Sequence, residues 1–119
     1  MENFRRTPGG FYEFGNWSIG PTEGEFRSPG YKWFAHNSEG GDEPMFGNLA
    51  QAKVWVVKTE SDLLIARYKR LYKARMGEEM PGVLLYRDGW FDLTMPGLRM
   101  RSYRWKKMVA LCENLGKGR

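Results

Sequence analysis

The chain has 119 residues, with 19 Lys+Arg against 14 Asp+Glu for a formal net charge of +5, one Cys and one His. That is an ordinary length for one domain, long enough to bury a core without staples. The single Cys112 excludes an internal disulfide and a cysteine metal cluster, the single His36 excludes a multi-histidine site, and no apolar run approaches the ~18 residues of a membrane span.

These bounds predict a single cytoplasmic domain over residues 1–119 with no membrane partner. The opening MENFRRTPGG lacks the apolar segment of a signal peptide and reads as a flexible arm over 1–10. The first 47 residues hold nine of the fifteen Gly and four of the six Pro, which disfavours helix by about 1 and 3 kcal/mol per residue. Aromatics nevertheless stud the region (Phe11, Tyr12, Phe14, Trp17, Phe26, Tyr31, Trp33, Phe34, Phe46), so short strands with ordered turns are expected. The strands are placed at Gly15–Ile19 and Tyr31–His36, separated by the turn-rich PTEGEFRSPG and followed by an acidic loop, NSEGGDEP.

Asn48 is then positioned to cap a helix on which Leu49, Ala52, Val56, Leu63, Leu64 and Leu71 recur at helical spacing as far as Met76. The run VWVV at 54–57 is β-branched, and Thr59 with Asp62 resembles a capping box, so one helix with a break near Lys58 and a strand followed by a helix both fit; the helix is favoured. Gly77 ends it. Asp88-Gly89 between Val83–Arg87 and Trp90–Leu93 is a strong hairpin signal, because a two-residue turn of this kind needs φ > 0 at both positions. The expected register sets Arg87 opposite Trp90 and Leu84 opposite Leu93, with Leu84, Tyr86, Phe91 and Leu93 on the inner face. A third strand is expected at Leu98–Arg101, with Leu98 and Met100 inward and Arg99 and Arg101 outward. A final helix would be capped by Ser102, present Trp105, Met108, Val109, Cys112 and Leu115 inward, and stop at Gly116. The order β-β-α-β-β-β-α reads as α+β with a mainly antiparallel sheet, one long central helix and a C-terminal helix.

Charge is uneven: residues 1–65 hold 6 Lys+Arg against 9 Asp+Glu, and residues 66–119 hold 13 against 5. Such asymmetry favours an acidic partner, nucleic acid first and an acidic protein second. Two features carry it. RYKRLYKAR at 67–75 sets Arg67, Arg70 and Lys73 on the polar side of the helix, with Tyr68 and Tyr72 as i,i+4 neighbours. The outer face of the terminal sheet would present Arg87, Trp90, Arg99 and Arg101, followed by Arg104, Lys106 and Lys107, a flat platform suited to phosphate contact and base stacking. An Arg87–Trp90 cation–π pair is the structural alternative there.

Chemistry is mostly missing. Neither a P-loop, a GxGxxG fingerprint nor a GxSxG elbow is present. His36 with Glu39, Asp42 and Glu43 could hold a divalent cation and support a metal-dependent nuclease, a minor option because the acids are bunched in one Gly-rich loop. No cofactor is expected. The terminal β-β-β-α, with its helix beginning YRWKKMVALCENL, loosely resembles the end of small single-strand-binding coactivator domains. The small, aromatic-rich, motif-free style is similar to accessory proteins of bacteriophages and mobile elements, including inhibitors of host defence. The expected function is non-enzymatic binding of nucleic acid or a nucleoprotein complex through Arg67, Arg70, Lys73, Arg87, Trp90, Arg99, Arg101 and Lys107. The alternative is a protein–protein inhibitor or adaptor that occludes a host protein through the aromatics of residues 11–46. Whether the chain is a monomer or a homodimer does not follow from its sequence.

Overall fold

The computed structural model describes residues 4–22 and 30–117. Its elements run β1 (Arg5–Arg6), β2 (Tyr12–Phe14), β3 (Trp17–Pro21), β4 (Trp33–Asn37), β5 (Met45–Phe46), α1 (Leu49–Met76), β6 (Val83–Arg87), β7 (Trp90–Thr94), β8 (Arg101–Tyr103) and α2 (Trp105–Gly116). The fold is α+β, with a five-stranded antiparallel sheet ordered β1-β2-β3-β4-β5 and a three-stranded one ordered β6-β7-β8. The described residues gather into two compact units, 4–59 and 60–117, each with its own buried cluster. No helix among them is long and apolar enough to cross a membrane.

In the first unit, Arg5 and Arg6 form β1, within the stretch expected to be an arm; residues 1–3 lie outside the described part. The strand expected at Gly15–Ile19 begins two residues later. Gly15 has φ 58° and belongs to a two-residue turn that brings Phe14 opposite Trp17. Most of the turn expected between the two strands, residues 23–29, lies outside the described part, Phe26 included. Alternation along β3 and β4 sends Trp17, Ile19 and Ala35 to one face, where they cluster with Ala52 and Val56 of α1. Trp55 meets Trp17 edge-on with ring centroids 5.1 Å apart. On the opposite face, Gly20 leaves room for Phe11: a Cβ there would stand 2.2 Å from its ring.

Asn48 caps α1 as expected, its Oδ1 accepting the Gln51 N–H at 2.8 Å. The helix runs unbroken through VWVV, with Thr59 and Asp62 inside it rather than starting a new segment. β-Branching costs only tenths of a kcal/mol per residue in a helix, and burial of Ala52 and Val56 outweighs that. Leu63 leaves the inner stripe and is 57% exposed, since neighbours on a helix diverge by about 100° and Leu64 takes the core position. Gly77, with φ 80°, closes the helix as its N–H bonds the Lys73 carbonyl at 2.8 Å.

In the second unit the hairpin has the expected register, Arg87 opposite Trp90 through Leu84 opposite Leu93. Asp88 (φ 49°) and Gly89 (φ 87°) supply both left-handed turn positions. Leu84, Phe91 and Leu93 cluster with Leu64 and Tyr68 of α1 and with Met108 and Cys112 of α2. Trp105 is half-buried and edge-on to both Tyr86 and Phe91, at 5.8 and 5.2 Å. The third strand lies later than Leu98–Arg101: β8 begins at Arg101, so Leu98 and Met100 fall in the preceding loop and are exposed, not inward. Ser102 is a strand residue whose hydroxyl donates to Asp92 Oδ1 at 2.7 Å, so it does not cap α2; Arg104 occupies that position without a side-chain cap. Gly116 is the last residue of α2 and Lys117 its right-handed C-cap.

Candidate functional site

All eight residues expected to bind lie in the second unit. On α1, Arg67, Arg70 and Lys73 follow one another at intervals of three, winding from the half-buried Arg67 beside the core stripe of Leu64 and Tyr68 to the exposed Arg70 and Lys73. They are not equivalent. Lys73 Nζ lies 2.8 Å from Glu79 Oε1, and that hydrogen bond, then the carboxylate charge, raises the ammonium pKa above 10.5. Arg67 and Arg70 make no hydrogen bond or ion pair among the described residues. Both are near enough to Cys112 to favour its thiolate, but burial acts more strongly and holds the thiol above its usual 9.0. Arg75 donates from Nη1 to the Asn114 carbonyl at 2.9 Å, tying the end of α1 to the end of α2. The Tyr68–Tyr72 pair has ring centroids 6.5 Å apart, but Tyr68 is part of the core and Tyr72 packs on it. Burial accordingly raises the Tyr68 pKa above 10.0.

The expected sheet platform is divided. Residues paired across an antiparallel ladder share a face. Arg101 stands opposite Leu93, which places it on the inner face, whereas Arg87 and Trp90 belong to the outer one. Arg99 lies in the loop before β8. Trp90 has a cation–π partner, but it is Arg104, whose guanidinium carbon lies 3.8 Å from the ring centroid while Nη1 donates to the Gly89 carbonyl at 3.3 Å. One face of Trp90 is therefore occupied. Arg87 instead sits 3.3 Å from Asp92 Oδ2, and that largely buried carboxylate is held from its other oxygen by Ser102. No local pattern of residues signals this exchange of partners, because it depends on where β8 ends relative to the hairpin turn.

What remains is a set of unengaged cations. Arg67, Lys69, Arg70, Arg99, Arg101, Lys106, Lys107 and Lys117 make no side-chain hydrogen bond or ion pair among the described residues, and all but the half-buried Arg67 are exposed. Lys107, from the expected set, is joined here by its neighbour Lys106.

The first unit offers less. His36 Nδ1 lies 2.5 Å from Glu43 Oε1, while Glu39 accepts from Asn16 Nδ2 at 3.3 Å. Among the described residues no three His, Cys, Asp or Glu side chains gather as a metal site would require. Of the described aromatics in 11–46, Trp17 is core, Tyr12, Phe14, Trp33 and Phe46 pack against it, Phe34 is half-buried with its ring edge-on to Phe11, and Phe11 and Tyr31 are exposed. Compared with protein families, curated proteins and solved structures, the chain matches none.

Proposed function

We propose that the protein is a non-enzymatic module that binds nucleic acid through its phosphate backbone, using residues 60–117 in a reducing, cytoplasmic setting. The observation that carries this reading is the set of eight unengaged cations, from Arg67, Lys69 and Arg70 on α1 to Lys117 after α2, in one unit. A guanidinium or ammonium without a carboxylate partner can neutralise a phosphate and release its counterion, which makes binding favourable and salt-dependent. Lys73, Arg87 and Arg104 contribute less, because Glu79, Asp92 and Trp90 already compensate or cover them. Binding is insensitive to sequence at this level, since phosphates carry no base information.

Fluorescence anisotropy with labelled random oligonucleotides tests it. If about six of these cations engage phosphates, affinity falls roughly a thousand-fold between about 50 and about 200 mM salt. No retention of DNA or RNA at about 50 mM salt, where non-specific contacts already register, contradicts the reading and leaves an acidic protein as the partner.

A further inference from the structure

We infer that the loop between β7 and β8, residues 95–100, is an apolar wedge that enters the stack of duplex DNA, flanked by arginines that hold the groove. The inference rests on the nucleic-acid reading and adds to it a mode of contact and a preference for duplex.

The loop is short and closed at both ends. Leu93 pairs with Arg101 across its base. At its start Leu98 donates its N–H to the Met95 carbonyl at 3.1 Å, with Gly97 at φ 74°. Pro96 followed by a left-handed Gly is the sequence of a rigid turn, so the segment beyond it is held out at little entropic cost on binding. That segment reads Leu98-Arg99-Met100-Arg101. Leu98 is 68% exposed and Met100 50%, although both have the character of core residues. A lone exposed apolar side chain is ordinary. Here two large ones alternate with two exposed arginines that have no partner among the described residues.

Duplex DNA fits this pattern. Architectural proteins that bind the minor groove insert Leu or Met between base steps, and arginines are drawn to the negative potential of a narrow groove. A bilayer fits less well: the loop carries no aromatic for the interface, and two short side chains bury far less than the single acyl chain that already gives only marginal anchoring. A single strand offers no stacked step to open.

The test uses the full chain and a duplex of about 20–30 bp labelled at both ends for energy transfer, a span over which a bend of tens of degrees is measurable. Wild-type protein should increase transfer. L98A/M100A should abolish that increase and weaken duplex binding by roughly tenfold, with the slope of log K against log salt unchanged. R99Q/R101Q should lower the slope by roughly 0.7–0.9 per residue. Because all four side chains are exposed, circular dichroism melts of the variants should match wild type. Duplex bound without a change in transfer, or bent equally by L98A/M100A, overturns the wedge and leaves the nucleic-acid reading standing. Failure to bind any oligonucleotide overturns both. Sedimentation with phosphatidylserine vesicles that is lost in L98A/M100A also overturns the wedge, in favour of a membrane surface.

Discussion

In residues 4–59 most basic side chains are matched: Arg5 pairs with Glu13, Arg6 lies 6.0 Å from the Tyr12 ring centroid, and Lys53 stands 4.4 Å from the same centroid and 5.6 Å from that of Phe4, which leaves Lys32 exposed and unengaged among the described residues. In residues 60–117 eight cations have no such partner among the described residues, while the acids Glu79 and Asp92 are each taken by a different basic residue. A count of Lys and Arg therefore overstates a binding surface. A charge already held by a carboxylate or a ring projects little field, and only an unengaged one gains much from a phosphate. The overall +5 thus conceals one unit that uses most of its cations internally and one that leaves most of them available.

The sharpest way to break this comparison is through the cores. Phe91→Ala in the second unit and Trp17→Ala in the first should each cost about 3–5 kcal/mol in urea unfolding, as buried aromatics do. A cost below about 1 kcal/mol at either site would show that the unit lacks the core assigned to it. Next come the glycines. A Cβ at Gly82 would stand 2.3 Å from the backbone oxygen of Thr94, which the β6–β7 ladder holds fixed, whereas one at Gly20 meets only the Phe11 side chain. Gly82→Ala should therefore cost about 2–3 kcal/mol and Gly20→Ala about 1 kcal/mol, because a ring can rotate away and a ladder cannot. Equal losses in thermal melts would contradict the distinction.

Asn48→Ala should cost about 1 kcal/mol by removing the cap on Gln51. The smallest effect is in alkali and belongs to the second unit. Burial raises both Cys112 above 9.0 and Tyr68 above 10.0, so their neutral forms are favoured by folding. That contribution is complete below pH 9.0 and declines as pH rises past 9.0 for the thiol and past 10.0 for the phenol, as the unfolded chain loses those protons first. Cys112→Ala should remove the earlier part of the decline in melts taken across that range; an unchanged onset contradicts the assignment.

Much of the second unit was legible because its signals are local. Asp88-Gly89 dictates a turn and the turn dictates register, so the faces of Leu84, Tyr86, Phe91 and Leu93 followed without any long-range information. Asn48 and Gly77 marked the ends of α1 for the same reason. What failed was the ladder between β7 and β8, joined by a loop whose length fixes nothing. Alternation within a strand tells which residues share a face, but not which face a neighbour's ladder selects. A start at Arg101 in place of Leu98 therefore carried Arg101 away from Trp90, freed Leu98 and Met100, and turned Ser102 from a helix cap into a partner of Asp92. Of the candidate site, the basic stripe on α1 was readable from spacing. The partners that disengage Lys73, Arg87 and Trp90 were not, since each depends on a loop or strand end brought near by folding.

The most direct test compares the two units through the salt dependence of oligonucleotide binding. Two variants are needed, the quadruple R67Q/R70Q/R99Q/R101Q from the second unit and the triple R5Q/R6Q/K53Q, all engaged side chains, from the first. The first variant should lower the slope of log K against log salt by roughly three, at about 0.7–0.9 per phosphate contact, and the second should leave it nearly unchanged. Equal reductions in both would contradict it.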